Sequence, residues 1–154
     1  MKNINSERGQ SLVELSISLV ILLWLLAGAV EFGLGFFQFI QLRDAAQEGA
    51  LYGSIHPADS TGIKARVLAQ STSPIDLISE ETAGNLTVTQ SFVDASGNPT
   101  TDGCITYGLV VTVSYDHKMF MPFVTLFTGG DNTITISASV TDTILVEDSS
   151  YSSC

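Results

Sequence analysis

The chain is short of charge. Only 14% of its 154 residues are Asp, Glu, Lys or Arg, against roughly 25% in an average soluble domain. Basic residues are scarcest: six Lys and Arg face sixteen Asp and Glu, for a formal net charge of −10. That balance excludes a nucleic-acid binder, which needs cations against phosphates. There are two cysteines and two histidines; His56 and His117 lie far apart in sequence and do not make a zinc site with Cys104 and Cys154. There is no glycine-rich phosphate loop, no nucleophile elbow and no HExxH, so nothing points to catalysis, a metal or a cofactor. What the chain has is apolar residues, at 45% with a mean hydropathy of +0.32. A disordered acidic tail would lack them. The length allows one modest core and hardly two.

The averages conceal a division. From Leu15 to Val30 there are sixteen residues without a charge, and from Leu15 to Leu42 twenty-eight with one, Glu31. About 20 apolar residues at 1.5 Å each cross the hydrocarbon of a bilayer, so a lipid bilayer is the expected partner of this stretch. From Gly53 onward the chain is rich in Ser and Thr and holds eleven acidic and three basic residues, a composition common in exported β-domains.

The start of the apolar run has two readings. A polar leader, Met1 to Gly9, precedes it, and Ala27-Gly28-Ala29 offers small residues of the kind a signal peptidase cuts. Against removal of the run, the apolar pattern continues past Ala29 through Phe32, Phe36, Phe37, Phe39 and Ile40. Glu14 also stands just inside it, where a carboxylate is costly. Glu14 is either an interfacial residue reaching back to water or a carboxylate that requires a positive partner.

Arg8-Gly9-Gln10-Ser11-Leu12-Val13-Glu14 followed by a hydrophobic helix resembles the processing site of type IV pilin-like precursors. The wider stretch from Arg8 to Pro57, with Glu31-Phe32-Gly33 and the small-residue pattern Ala46 to Gly53 before His56-Pro57, resembles the TadE-like proteins, minor pseudopilins of the tight-adherence (Tad, or Flp) pilus apparatus. Val113-Ser114-Tyr115, Met121-Pro122-Phe123 and Gly129-Gly130 resemble that family's C-terminal half more loosely. Leu15 departs from the Glu-Tyr pair of Flp major pilins, whose mature chains are also far shorter, so a minor component fits better. The resemblance implies cleavage by a prepilin peptidase between Gly9 and Gln10. It also implies that Glu14 becomes the fifth mature residue, where its carboxylate meets the freed α-amino group of a neighbouring subunit and fixes register.

The expected organisation follows: residues 1–9 as leader, 10–53 as a long hydrophobic helix anchored through its first half, and 54–154 as an extracytoplasmic α+β domain. A helix over residues 12–52 is on the order of 60 Å long. Ala45, Ala46, Gly49, Ala50 and Gly53 share one helical face, open to close approach by the chain's own sheet or by another subunit. Gly33 and Gly35, each costing about 1 kcal/mol against alanine, are the expected place for bending. Glu31 marks the membrane border or pairs with a cation on a partner helix. A short helix is expected over Ser60 to Gln70, capped by Asp59 or Ser60 with Ile63, Val67 and Leu68 inward, and a further turn starting at Ser73-Pro74.

Three alternating runs read as strands: Leu86, Val88 and Phe92; Ile105, Tyr107, Leu109, Val111, Val113 and Tyr115; and Ile134, Ile136, Ala138 and Val140. An antiparallel sheet wet on one face, covered by the distal part of the long helix, makes an α+β fold. Asp94 to Gly103 reads as a hairpin loop, its oxygens from Asp94, Ser96, Asn98 and Asp102 also allowing a calcium site without the order of an EF-hand. Lys118 to Phe123, continuing to Phe127, is a greasy connection that either fills the space beneath the helix or touches a membrane or partner. Outside the cytoplasm Cys104 and Cys154 can form one intramolecular disulfide, or stay free, or pair between chains. Closing a loop of ~50 residues contributes about 4 kcal/mol in the chain-entropy model.

The leading expectation is thus a structural protein, not an enzyme, held in a bacterial inner membrane by one helix with its C-terminal domain outside. Lys2 and Arg8 favour a cytoplasmic leader, Glu7 weakening the bias. Its partners would be a prepilin peptidase, other pilins and pseudopilins and the pilus assembly machinery. The alternatives are a minor pilin of another type IV pilus or secretion system, and a membrane-anchored binding domain that never enters a filament.

Overall fold

The computed structural model describes residues 5–70, 72–100, 107–120 and 132–145, with side chains from Gly9 onward. Helix α1 runs from Asn5 to Ile55, followed by α2 (Ser60–Ala69), α3 (Leu77–Thr82) and strands β1 (Leu86–Val93), β2 (Pro99–Thr100), β3 (Gly108–Lys118) and β4 (Thr133–Thr143). The α+β class expected from the pattern is the one observed. The chain divides into two compact units: residues 1–34 with 119–132, and residues 35–118 with 133–154.

Helix α1 begins inside the stretch read as leader and passes Gly33 and Gly35 without interruption. Helical structure persists through the place where bending is expected because two glycines weaken a helix by only about 2 kcal/mol, and the apolar residues around them favour the internally hydrogen-bonded form. The boundary between the two units nevertheless falls between Leu34 and Gly35. The helix ends where Pro57 disfavours helical backbone at His56.

The second unit holds the core. Leu42, Ala45, Ala46 and Ala50 of α1 are buried with Ile63 and Val67 of α2, Leu77, Leu86, and Leu109, Val111 and Val113 of β3. A Cβ at Gly49 would lie 2.5 Å from Val67 and 3.4 Å from Val111, and one at Gly53 would overlap Leu109 and Ile63. The small-residue face of α1 therefore packs on the chain's own sheet and α2. Missing side chains let the backbones approach, and branched residues fill the space that is left.

The sheet is antiparallel with strand order β2-β1-β3-β4. Val113 pairs with Val88 on one side and Ala138 on the other, so the inward residues of three strands form one row. Thr112 and Ser139 exchange a hydroxyl hydrogen bond of 2.7 Å on the other face. Gln90 falls in the inward register between Val88 and Phe92, and its amide donates to the Ser60 carbonyl at 3.0 Å.

Three expectations are corrected. Tyr107 is exposed and precedes β3; its N–H donates to Val93 and its carbonyl accepts from Ile144. The loop after Asp94 carries a two-residue strand, β2, paired to β1 at Phe92↔Thr100. The turn expected from Ser73-Pro74 instead starts at Leu77 because Asp76 caps it, accepting from the Ser79 hydroxyl at 2.8 Å and the Ser79 N–H at 3.3 Å. By contrast Asp59 caps α2 through the Gly62 N–H, as the sequence predicts, with Ile63 and Val67 buried and Leu68 half-buried. Ion pairs join Lys64 to Glu81 at 2.5 Å and Arg66 to Glu48 at 3.9 Å. Such half-exposed pairs contribute about 1 kcal/mol at most.

Candidate functional site

The chemistry-bearing region is the first part of α1. Gly9–Ile55 is one stretch long and apolar enough to cross a membrane. Leu12, Val13, Leu15, Ile17 and every large apolar residue from Leu19 to Leu26 stand at least half exposed, which in water is an unsustainable surface. The Ser16 hydroxyl turns inward and donates to the Leu12 carbonyl at 2.7 Å, so it presents no unmet donor to lipid. The shallow depression along Val20, Ile21, Trp24 and Leu25 is apolar and lies on this same lipid-compatible surface.

Gly9, Gln10 and Glu14 all lie on this exposed helix. Nothing comes within 4 Å of the position a Gly9 Cβ would take. Glu14 is the single charged side chain between Gln10 and Val30. Among the described residues, its carboxylate has no hydrogen-bonding or ionic partner. Gly9 and Gln10 therefore sit four to five residues, about one helical turn or a little more, before that carboxylate.

Glu31 is placed differently. Its carboxylate accepts the backbone N–H of Phe120 at 3.1 Å, within the first unit. The Met119 N–H donates to the Asn132 carbonyl at 2.8 Å, closing the base of the segment between β3 and β4. Phe120 itself is 83% exposed, so this part of the greasy connection does not fill a core; Met121 to Phe127 lie outside the described residues. The sequence marked Glu31 and the stretch Lys118 to Phe123 separately, with no signal that joined Glu31 to Phe120 across 89 residues.

The remaining candidates are local. Asp94 accepts from the Ser96 and Asn98 N–H groups, 2.8 and 2.9 Å from Oδ1, and from the Asn98 amide at 3.4 Å, so its oxygens are engaged by their own turn. These contacts, the Asn98 N–H foremost, hold the Asp94 carboxyl below the usual carboxylate range. Among the described residues no three His, Cys, Asp or Glu side chains group as metal ligands would. Cys104 and Cys154 lie outside the described residues.

A single long helix, apolar enough to cross a membrane, is thus followed by a small unit of helices and an antiparallel sheet. Residues 9–51 match the family described as TadE-like protein, the family that the N-terminal motifs resemble. The match spans α1 from Gly9 to Leu51 and does not reach Val113-Ser114-Tyr115 or the later motifs. No curated protein and no solved structure matches the chain. TadE-like proteins are structural components associated with the Tad pilus, and the match together with the apolar helix supports a membrane-anchored, pilus-associated component that meets other pilus components.

Proposed function

We propose that the chain is a minor pseudopilin of a Tad (Flp) pilus, held in a bacterial inner membrane by α1 with the sheet-bearing unit outside the cytoplasm. The observation that carries this reading is Glu14: the single charge between Gln10 and Val30, without a partner among the described residues. A carboxylate in hydrocarbon needs a cation. Cleavage by a prepilin peptidase between Gly9 and Gln10 would create one, an α-amino group on each mature subunit. As the resemblance to pilin-like assemblies implies, that amino group comes from a neighbouring subunit, and the pairing sets the stagger between the two. On this reading residues 1–9 are the leader, 10–53 the anchoring and packing helix, and 54–154 the outer domain. Cys104 and Cys154 join as a disulfide there, where oxidation is permitted.

The test is the intact mass of the protein made with and without a prepilin peptidase. Loss of residues 1–9 supports the reading. An uncut chain favours a plain membrane anchor, and cleavage after Ala29 means an ordinary exported protein.

A further inference from the structure

We propose that Phe120 contacts the lipid surface at the outer border of the membrane span and is held there by Glu31. This rests on the anchored reading of α1. The twenty-one residues from Gln10 to Val30 rise about 30 Å, the thickness of the hydrocarbon core. The next residue is Glu31, the first charge after Glu14. A carboxylate at that depth stands at the hydrated headgroup layer, where it accepts a hydrogen bond. The donor it meets is the backbone N–H of Phe120, 3.1 Å away. Phe120 follows the end of β3, where the ladder no longer supplies an acceptor. An amide left open against lipid is strongly disfavoured, and Glu31 answers it.

The ring attached to that amide is the most exposed large apolar side chain among the described residues, at 83%, and Phe32, next to Glu31 in the chain, follows at 77%. In sequence, Met119 to Phe127 runs nine residues without a charge, and Lys118 precedes it. Lipid is the occupant that fits. The exposed ring joins the same unit as the apolar surface of Leu15 to Val30, which already requires a bilayer. A phenylalanine beside a carboxylate suits a layer that is apolar on one side and wet on the other. The geometry thus gives the chain a second attachment to the membrane, made by a residue 89 positions after Glu31 of the anchoring helix.

The chain contains one tryptophan, Trp24, which permits a clean measurement on the full chain in phosphatidylcholine vesicles. Trp24 of the unaltered protein reports the span. Phe120→Trp in a Trp24→Phe background reports the new contact, with no packing cost at an exposed position. Phospholipids brominated either near the carbonyls or deep in the acyl chains are compared with aqueous iodide. The expected result is deep-bromine quenching of Trp24, and shallow-bromine quenching of the introduced indole with little loss to iodide. Adding Glu31→Leu should shift the introduced indole from bromine quenching to iodide quenching. Quenching by iodide alone overturns the proposal, as does protection from both, which means that protein covers the site. Deep rather than shallow quenching overturns the border placement. If Trp24 itself escapes the bromines, the anchored reading falls and this contact with it; if Trp24 is quenched and the introduced indole is not, only the contact falls.

Discussion

Gln41 and Ile75 are joined twice. The Gln41 side-chain amide donates to the Ile75 carbonyl at 2.6 Å, and its Oε1 accepts the Ile75 N–H at 2.9 Å, in the manner of one strand residue facing another. Gln41 is 7% exposed and Ile75 is buried. One side chain on α1 thereby satisfies both polar groups of a backbone segment that no sheet reaches.

Gln41→Leu keeps most of the volume but leaves the Ile75 N–H and carbonyl unpaired. Each buried group so stranded costs about 1–3 kcal/mol, so a loss of about 3 kcal/mol is expected from chemical denaturation of the full chain in detergent. Hydrogen exchange at the Ile75 amide should accelerate in the same variant. An unchanged midpoint would show that water replaces the side chain freely.

Gly53→Ala separates helix propensity from packing. Inside a solvated helix, alanine is better than glycine by about 1 kcal/mol. Here the added methyl overlaps Leu109 and Ile63, and overpacking of this kind costs about 1–3 kcal/mol. The unfolding midpoint should fall; a rise would mean that α1 stands off the sheet. Gly33→Ala, with nothing within 4 Å, is the control expected to be neutral or stabilising.

Acid should loosen the second unit. The Gly62 N–H, then the Tyr52 hydroxyl, hold the Asp59 carboxyl below the usual range, and the Ser79 hydroxyl, then its N–H, do the same for Asp76. A folded-state value below the unfolded one means that the unfolded chain binds the proton more tightly. These contributions are complete above the unfolded value of about 4 and vanish as pH falls through the lower folded values. The thermal midpoint should stay level from neutrality down to about pH 5 and drop below about pH 4. In Asp59→Asn/Asp76→Asn the drop should be smaller, and a midpoint that climbs on acidification would contradict the assignment.

If the chain is a pseudopilin as proposed, Glu14→Ala removes a charge from the apolar run, so membrane insertion and cleavage by prepilin peptidase should both persist. Incorporation beside other pilus subunits is what should fail. Co-purification of the variant with assembled pili in normal amounts would sink the register role.

Reduction should weaken the outer domain by about 4 kcal/mol if Cys104 and Cys154 are joined, since the loop they would close has ~50 residues. Thiol alkylation of the exported, unreduced protein should add no mass. Two added groups would mean free cysteines, and a reducible dimer would mean pairing between chains.

Period and composition made most of this fold legible. Alternation at Leu109, Val111 and Val113 marked β3 because every second residue meets the core, and Asp59 marked the start of α2 because its carboxylate reaches the Gly62 N–H. What stayed hidden depended on partners remote in sequence. Gln41 looks like any polar residue near the end of an apolar run until Ile75 is beside it. Gln90 interrupts an apolar row because its amide closes on Ser60. Tyr107 fits the alternation yet stands outside the strand, since alternation says nothing about where pairing stops. Glu14 is the opposite case: the expectation placed on it rests wholly on the surroundings that its own stretch of chain supplies.

The close seating of α1 on the sheet has a consequence for how this helix tolerates substitution. From Leu15 to Val30 the requirement is solubility in oil, and side chains of almost any size meet it while polar ones do not. From Ala45 to Gly53 the requirement on the inward stripe is bulk, and even one added methyl is too much at Gly49 and Gly53. One continuous helix is thus subject to two unrelated filters, polarity in its first half and volume in its second. Drift in the anchor should be free in shape, while the distal stripe should hold glycine at Gly49 and Gly53 and only small residues at Ala45, Ala46 and Ala50.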